Sequence, residues 1–208
     1  MKYIICFIDD SEFEHDMLRN QIAPLAPDME FIQTYTFDEA KDELAERSPS
    51  LFLLDLWGKD ASVTEPYIPK RAEIEGKTAG FPTMDYVYGG LAEFKGDIYN
   101  EYLKRLFSIV SCWRSLFEEA CAGIGQNNKY GLFNLRQVRI YYPDTPAVFY
   151  TRKALINDAV AMFRAGTDGL FIKPSGTNDE HTRRLTRDYA PTLAEDLRRI
   201  IRSGPRKR

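Results

Sequence analysis

The chain has 208 residues, of which 44% are hydrophobic and 28% charged, enough for one large globular domain or a domain carrying a substantial insertion. A net charge of −3 excludes wholesale electrostatic attraction to nucleic acid, and no apolar run approaches the length of a membrane span. Cys6, Cys112 and Cys121 have no metal-ligand spacing and read as reduced thiols. The first apolar run is too short and too soon acidic for a signal peptide, so the expected compartment is the cytoplasm.

The first third alternates apolar runs with amphipathic stretches. "KYIICFI" reads as a strand buried on both faces and runs directly into the adjacent carboxylates Asp9 and Asp10. In "SEFEHDMLRNQIAPLAP", Ser11 and Glu14 have capping-box spacing at a helix start. His15, followed by Asp16, reads as a surface histidine on that helix. "MEFIQTY" is a second strand, and Thr36 with Glu39 caps the helix "FDEAKDELAERS". "LFLLDL" is a third buried strand, ending in Asp55.

From Trp57 to about Asp144 the alternation stops. The first half of this stretch is rich in Gly, Pro and Tyr and has no period, which predicts a long functional or mobile loop. The second half predicts a helix from about Asp97 to Ala122. On it Tyr99, Leu103, Leu106, Val110, Trp113, Phe117 and Ala120 recur at spacings of four and three, and Ile109 and Leu116 broaden that stripe. Such a face either packs on its own domain or forms a homodimer seam, and both readings stay open.

The alternation resumes with "PAVFYT", a fourth strand ending in Thr151. A helix "ALINDAVAMFRAG" follows, with Gly166 at its C-terminal cap. "GLFIKP" is a fifth strand ending in Lys173. Thr177 with Glu180 predicts the start of a last helix, which Pro191 breaks or kinks and Thr192 with Glu195 restarts. Residues 191–208 then form a helical extension with a basic tail; from Thr177 onward nine Arg or Lys face five Asp or Glu. Strand–helix alternation at both ends predicts an α/β fold with a doubly wound, five-stranded parallel sheet, interrupted by a mainly helical insertion at about 58–144.

In such a sheet the carboxyl ends of the strands carry the ligand site. Here those ends bear Asp9, Asp10, Asp55, Thr151 and Lys173. Three carboxylates together repel one another unless a cation sits among them, and all-oxygen ligands suit a hard divalent ion, Mg²⁺ above all. A metal beside a third carboxylate, a hydroxyl and an ammonium points to phosphoryl transfer. Asp55 is then the nucleophile, Lys173 neutralises phosphoryl charge and Thr151 donates a hydrogen bond.

The acidic pair, "LFLLDLW", "AVFYT" and "GLFIKP", in this order and at these spacings, resemble the receiver domain of two-component response regulators. The resemblance covers roughly residues 1–57 and 145–190, and implies the flavodoxin-like strand order 2-1-3-4-5. It also implies Mg²⁺ held directly by Asp10, Asp55 and the backbone carbonyl of Trp57, and by Asp9 through water. Asp55 would take phosphate from a histidine kinase or histidine phosphotransfer protein. The only chemistry would be self-catalysed transfer and hydrolysis at Asp55, so no enzyme in the usual sense is expected.

Three positions depart from the family pattern. Leu170 stands where the family has an aromatic residue, Arg152 where it has a small one, and the insertion where it has a short loop and helix. Expected, therefore, is a stand-alone receiver without a DNA-binding domain that signals to a downstream protein by contact. The alternatives are a receiver-like module that no longer switches and a phosphorelay intermediate. Other phosphate folds fit less well. Trp57 occupies the place of the second aspartate of haloacid-dehalogenase phosphatases, "DDSEFEHD" would repel a flavin phosphate, and "GIGQNN" follows a helix rather than a strand.

Overall fold

Five apolar segments become the five strands of one parallel sheet. They are β1 (Tyr3–Ile8), β2 (Met29–Thr34), β3 (Leu51–Leu54), β6 (Ala147–Thr151) and β7 (Gly169–Ile172), in the order β2-β1-β3-β6-β7. Counted along the sheet strands alone, this is the order 2-1-3-4-5. The remaining strands, β4 (Gly58–Lys59) and β5 (Gln126–Asn127), have two residues each. These positions come from a computed structural model, which describes residues 2–59, 62–152 and 156–204. Residues 205–208 of the basic tail and the first residues of the predicted "ALINDAVAMFRAG" helix lie outside the described residues.

The chain divides into two compact units, Met1–Asp60 with Asn128–Arg208, and Ala61–Asn127. In the first, the sheet is covered on both faces because alternate strand residues point to opposite sides. Ile5, Phe7, Leu51, Leu53, Val148 and Tyr150 pack on one side with Leu18 and Ile22 and with Leu193 and Leu197 of the last helix, α8 (Asp179–Ser203). On the other side Phe52 meets Phe37 of α2 (Phe37–Leu44) at 6.4 Å between ring centroids and Tyr142 at 5.1 Å.

Local chemistry explains the helix starts. Thr36 accepts from the Glu39 N–H at 3.2 Å, as its spacing predicts. Ser11 precedes α1 (Glu12–Met17) without a side-chain cap; its N–H instead donates to the Asp9 carboxylate at 3.0 Å. The predicted first helix continues through a π turn (Leu18–Ile22) and a 3₁₀ turn (Ala23–Leu25) containing Pro24. At α8 the cap is Asn178, accepting from the His181 N–H at 2.8 Å, rather than Thr177.

Pro191 does not break α8, which runs 25 residues through it. An interior proline costs a helix about 3 kcal/mol. Here Thr182, Thr186 and Ala190 before it and Leu193, Ala194 and Leu197 after it form one buried stripe, so packing on the sheet carries the helix across. Residues 191–203 are thus the end of a sheet-covering helix rather than a separate extension.

Helix α6 (Lys129–Tyr141) also differs from expectation. It falls within the range assigned to the insertion, yet it packs on β3, β6 and α2 as the crossover helix between the third and fourth sheet strands. Two of its four buried residues are Gly131 and Asn134, so only Leu135 and Val138 give an apolar signal. Gly131 is required there: a Cβ would fall 2.4 Å from the Asp55 carbonyl oxygen and 2.6 Å from Leu56 Cα. After α7 (Ile156–Arg164), Gly166 takes φ +88°, the left-handed position expected of the cap.

The second unit holds α3 (Arg71–Thr78), α4 (Met84–Tyr88) and the 26-residue α5 (Ile98–Gly123), capped by Asp97 on the N–H groups of Tyr99 and Asn100. The predicted helix from Asp97 to Ala122 is α5. Among the described residues no helix is long and apolar enough to cross a membrane.

Candidate functional site

The ladder of the sheet continues one residue past three strands and fixes the site. The Asp9 N–H donates to the Thr34 carbonyl at 3.1 Å, Asp55 N–H to Ile8 at 2.9 Å and Lys173 N–H to Thr151 at 3.0 Å. Asp9, Asp55 and Lys173 therefore lie at one sheet edge with backbones held by neighbouring strands. Their side chains converge. Lys173 Nζ donates to Asp9 Oδ2 at 2.5 Å and to Asp55 Oδ1 at 2.9 Å.

Asp10 joins them from the loop. One carboxylate oxygen from each of Asp9, Asp10 and Asp55 lies within 4.8 Å of the others, a spacing that could hold a divalent metal. Asp10 also accepts from the Lys59 N–H at 2.9 Å. Three carboxylates against one ammonium leave a formal excess of two negative charges when all are ionised. The donor set is all oxygen and suits a hard divalent ion. Trp57, two residues beyond Asp55, is buried.

Burial shapes the charges. It pushes the Asp9 carboxyl up to about 7 against the pull of Lys173, with Asp55 and Glu14 adding to the rise. For Lys173 burial works against the ammonium, but Asp55, Asp9 and Glu14 outweigh it and hold the group charged. Thr151, 1% exposed at the end of β6, has a hydroxyl with no hydrogen-bond partner among the described residues. A buried polar atom left open in this way is rare in folded proteins.

Three neighbours of the site escaped sequence reasoning. Glu14 lies 3.7 Å from Lys173 and accepts from Arg152 at 2.7 Å, so Arg152 is engaged by an ion pair. Its spacing from Ser11, read as a capping box, was a signal that it sits at the helix start facing Asp9. His15 is 2% exposed rather than on the surface; its ring nitrogens lie 2.8 Å from the Asp9 carbonyl and 3.1 Å from Gln33 Oε1. It is buried because Phe7 and Tyr35 enclose the ring, at 5.4 and 4.6 Å between centroids. Tyr130, at the start of α6, donates to the Tyr35 carbonyl at 2.6 Å. Burial raises its hydroxyl's pKa, and the charges of Asp9, Asp10 and Asp55 raise it further. No sequence pattern pointed to it, because it lies between the helix predicted to end at Ala122 and the fourth strand, where no element was predicted.

No protein-family model matches the chain, and no curated protein matches it. Among solved structures, the response regulator domain of Thermotoga maritima CheB is similar with a TM-score of 0.50 at 15% identity, covering 97% of this chain and 98% of that one. A response regulator from Thermotoga maritima has a TM-score of 0.48 at 12% identity, over 95% and 98% of the two chains. A CheY-like response regulator receiver domain protein from Methanospirillum hungatei JF-1 has 0.47 at 13% identity, over 96% of each. The chain has the fold of a response-regulator receiver domain, with a helical insertion after the third strand.

Proposed function

We propose that this chain is a response regulator that accepts a phosphoryl group on Asp55 from a histidine kinase or histidine phosphotransfer protein and signals by protein contact. The observation that carries the reading is the open, buried Thr151 hydroxyl at the same sheet edge as the Lys173–Asp55 pair. A phosphoryl oxygen gives that hydroxyl the acceptor it lacks.

In the proposed reaction an Asp55 carboxylate oxygen attacks phosphorus. A P–O bond forms, the P–N bond of the donor phosphohistidine breaks, and the imidazole leaves with the bonding pair. Lys173 balances charge on the transferred oxygens, and Thr151 donates to one of them. Asp10, Asp55 and the Trp57 carbonyl would hold Mg²⁺, with Asp9 acting through water; the ion supplies further neutralisation of phosphoryl charge. Hydrolysis of the acyl phosphate by water returns Asp55.

The test is phosphate incorporation from acetyl phosphate with Mg²⁺. Incorporation abolished by Asp55→Asn supports the reading, and incorporation unchanged by it refutes it. A second reading, a receiver-like module that no longer switches, is favoured by the Arg152–Glu14 ion pair beside the site and by Leu170 in place of an aromatic residue. It predicts partner affinity unchanged by beryllofluoride.

A further inference from the structure

Gly58 and Tyr130, both in the first unit, fit each other closely beside the acidic cluster. Gly58 is buried in β4, and its backbone is not in the left-handed region that would call for a glycine. A Cβ at Gly58 would fall 2.5 Å from Cγ and Cδ1 of Tyr130 and 2.9 Å from Cδ2. Glycine is needed there because the Tyr130 ring lies against it. Tyr130 comes from the first turn of α6, one residue before the Gly131 that lets this helix touch the turn after Asp55.

The hydroxyl fixes where the ring sits. It donates at 2.6 Å to the carbonyl of Tyr35, one residue past the end of β2. Tyr35 is itself anchored: its N–H donates to Glu39 Oε2 at 2.8 Å, and its ring packs on His15 with centroids 4.6 Å apart. The Thr34 carbonyl just before it accepts from the Asp9 N–H at 3.1 Å. Tyr130 therefore spans from the strand end that holds Asp9 to the segment after β3 that carries Trp57. The charges of Asp9, Asp10 and Asp55 all act on its hydroxyl, so it stands at the rim of the cluster.

We infer that Tyr130 is a positioning residue for two of the proposed metal ligands, the Trp57 carbonyl and Asp10, an inference that rests on reading the acidic cluster as a Mg²⁺ site. The reason is the peptide unit. The Trp57 carbonyl and the Gly58 N–H belong to one planar group, so a ring pressed on Gly58 limits how that carbonyl can turn. One residue further, the Lys59 N–H donates to Asp10 Oδ2 at 2.9 Å, and the same restraint reaches Asp10. A phenol suits this place. Burial and the nearby carboxylates keep it protonated, so it holds the segment without adding charge to a cluster already two negative charges in excess.

The experiment titrates the full chain with Mg²⁺ alone, in a Trp113→Phe background, and reads affinity from the midpoint of the Trp57 fluorescence change. Tyr130→Ala is expected to weaken Mg²⁺ binding about 10–100-fold, the usual effect of removing a partner that orients metal ligands. Tyr130→Phe keeps the ring and should recover most of that loss. Gly58→Ala should weaken binding by itself and add little to Tyr130→Ala, because the ring it would strike is gone. Amide exchange in the metal-free chain supplies a second readout. Lys59 should exchange severalfold faster in Tyr130→Ala, while the Asp9 amide, held by β2, stays protected. Should Tyr130→Ala misfold, Tyr130→Phe and Gly58→Ala carry the same comparison. Mg²⁺ affinity and Lys59 exchange that stay at the parent values, even with a lowered melting temperature, overturn the inference. A parent chain without any Mg²⁺ response overturns the metal reading instead, and Lys59 exchange then decides alone whether Tyr130 fixes the segment.

Discussion

Lys173 Nζ stands between two buried carboxylates, 2.5 Å from Asp9 and 2.9 Å from Asp55, and all three side chains are nearly shut off from water. The ammonium is thus a structural counter-ion as well as a proposed ligand of phosphate. Removing one partner of a buried ion pair leaves an uncompensated charge, which costs about 3–5 kcal/mol. Lys173→Met should therefore lower the unfolding free energy by an amount of that order. The loss should shrink at about pH 5.5, where Asp9 takes up a proton and one of the stranded charges disappears. Chemical denaturation at two pH values measures both effects. An unchanged midpoint would mean the carboxylates are not confined as the geometry requires.

A divalent ion held by the acidic cluster would compete with the proton for Asp9. Asp9 in the folded chain is held at about 7, above its unfolded value of about 3.9. Between those values the folded chain keeps a proton that the unfolded chain has released. Stability of the metal-free protein should thus fall as pH rises through this window, by no more than about 1.4 kcal/mol per pH unit for the one group. Mg²⁺ affinity should run the other way, strengthening as pH rises through 7. Trp57 fluorescence, titrated with Mg²⁺ across this range and with Trp113 replaced, reads the affinity. A pH-independent affinity would show that Asp9 takes no part in holding the ion.

The sheet and its edge were legible in the sequence because their signals are local. Continuous apolar runs such as "IICFI" and "LFLLDL" mark strands buried on both faces, and the residue after each run must fall at the sheet edge. Asp9, Asp55 and Lys173 were found in this way. What stayed hidden depends on contacts distant in sequence. His15 is buried by Phe7 and Tyr35, α6 hides its sheet-facing side behind Gly131 and Asn134, and Pro191 is overruled by the stripe that α8 lays on the sheet. In each case tertiary packing outweighs a local preference that points elsewhere.

Gly131 holds α6 against the turn that carries Asp55. Its N–H donates to the Leu56 carbonyl at 3.0 Å, and the three atoms nearest an added Cβ, at 2.4 to 2.8 Å, all belong to the backbone of Asp55 or Leu56. Backbone cannot rotate away as a flexible side chain can, so Gly131→Ala must displace the helix or the strand end. Overpacking of this kind destabilises by about 1–3 kcal/mol. The variant should also weaken Mg²⁺ binding, because Asp55 moves with its backbone. Gly76→Ala is the control. Within α3 its Cβ meets nothing within 4 Å, and replacing an exposed helical glycine should stabilise that helix by about 0.5–1 kcal/mol. Thermal unfolding of the two variants should shift in opposite directions.

Glu14 ties Arg152 to the site while competing for Lys173. Its carboxylate receives the guanidinium at 2.7 Å and lies 3.7 Å from the ammonium, with a side chain only 13% exposed. An anionic phosphodonor approaching Asp55 meets this carboxylate in addition to the acidic cluster, and the cation best suited to a phosphoryl oxygen is already engaged. Glu14→Gln removes one negative charge and releases Arg152 without changing side-chain volume. Incorporation of phosphate from acetyl phosphate should then rise severalfold, and the gain should diminish at high salt, where charge repulsion is screened. Arg152→Ala should reduce the gain when combined with Glu14→Gln, because the freed guanidinium is part of what the first substitution provides. A double variant that keeps the full increase would assign the effect to the lost repulsion alone and leave Arg152 no part in guiding the donor.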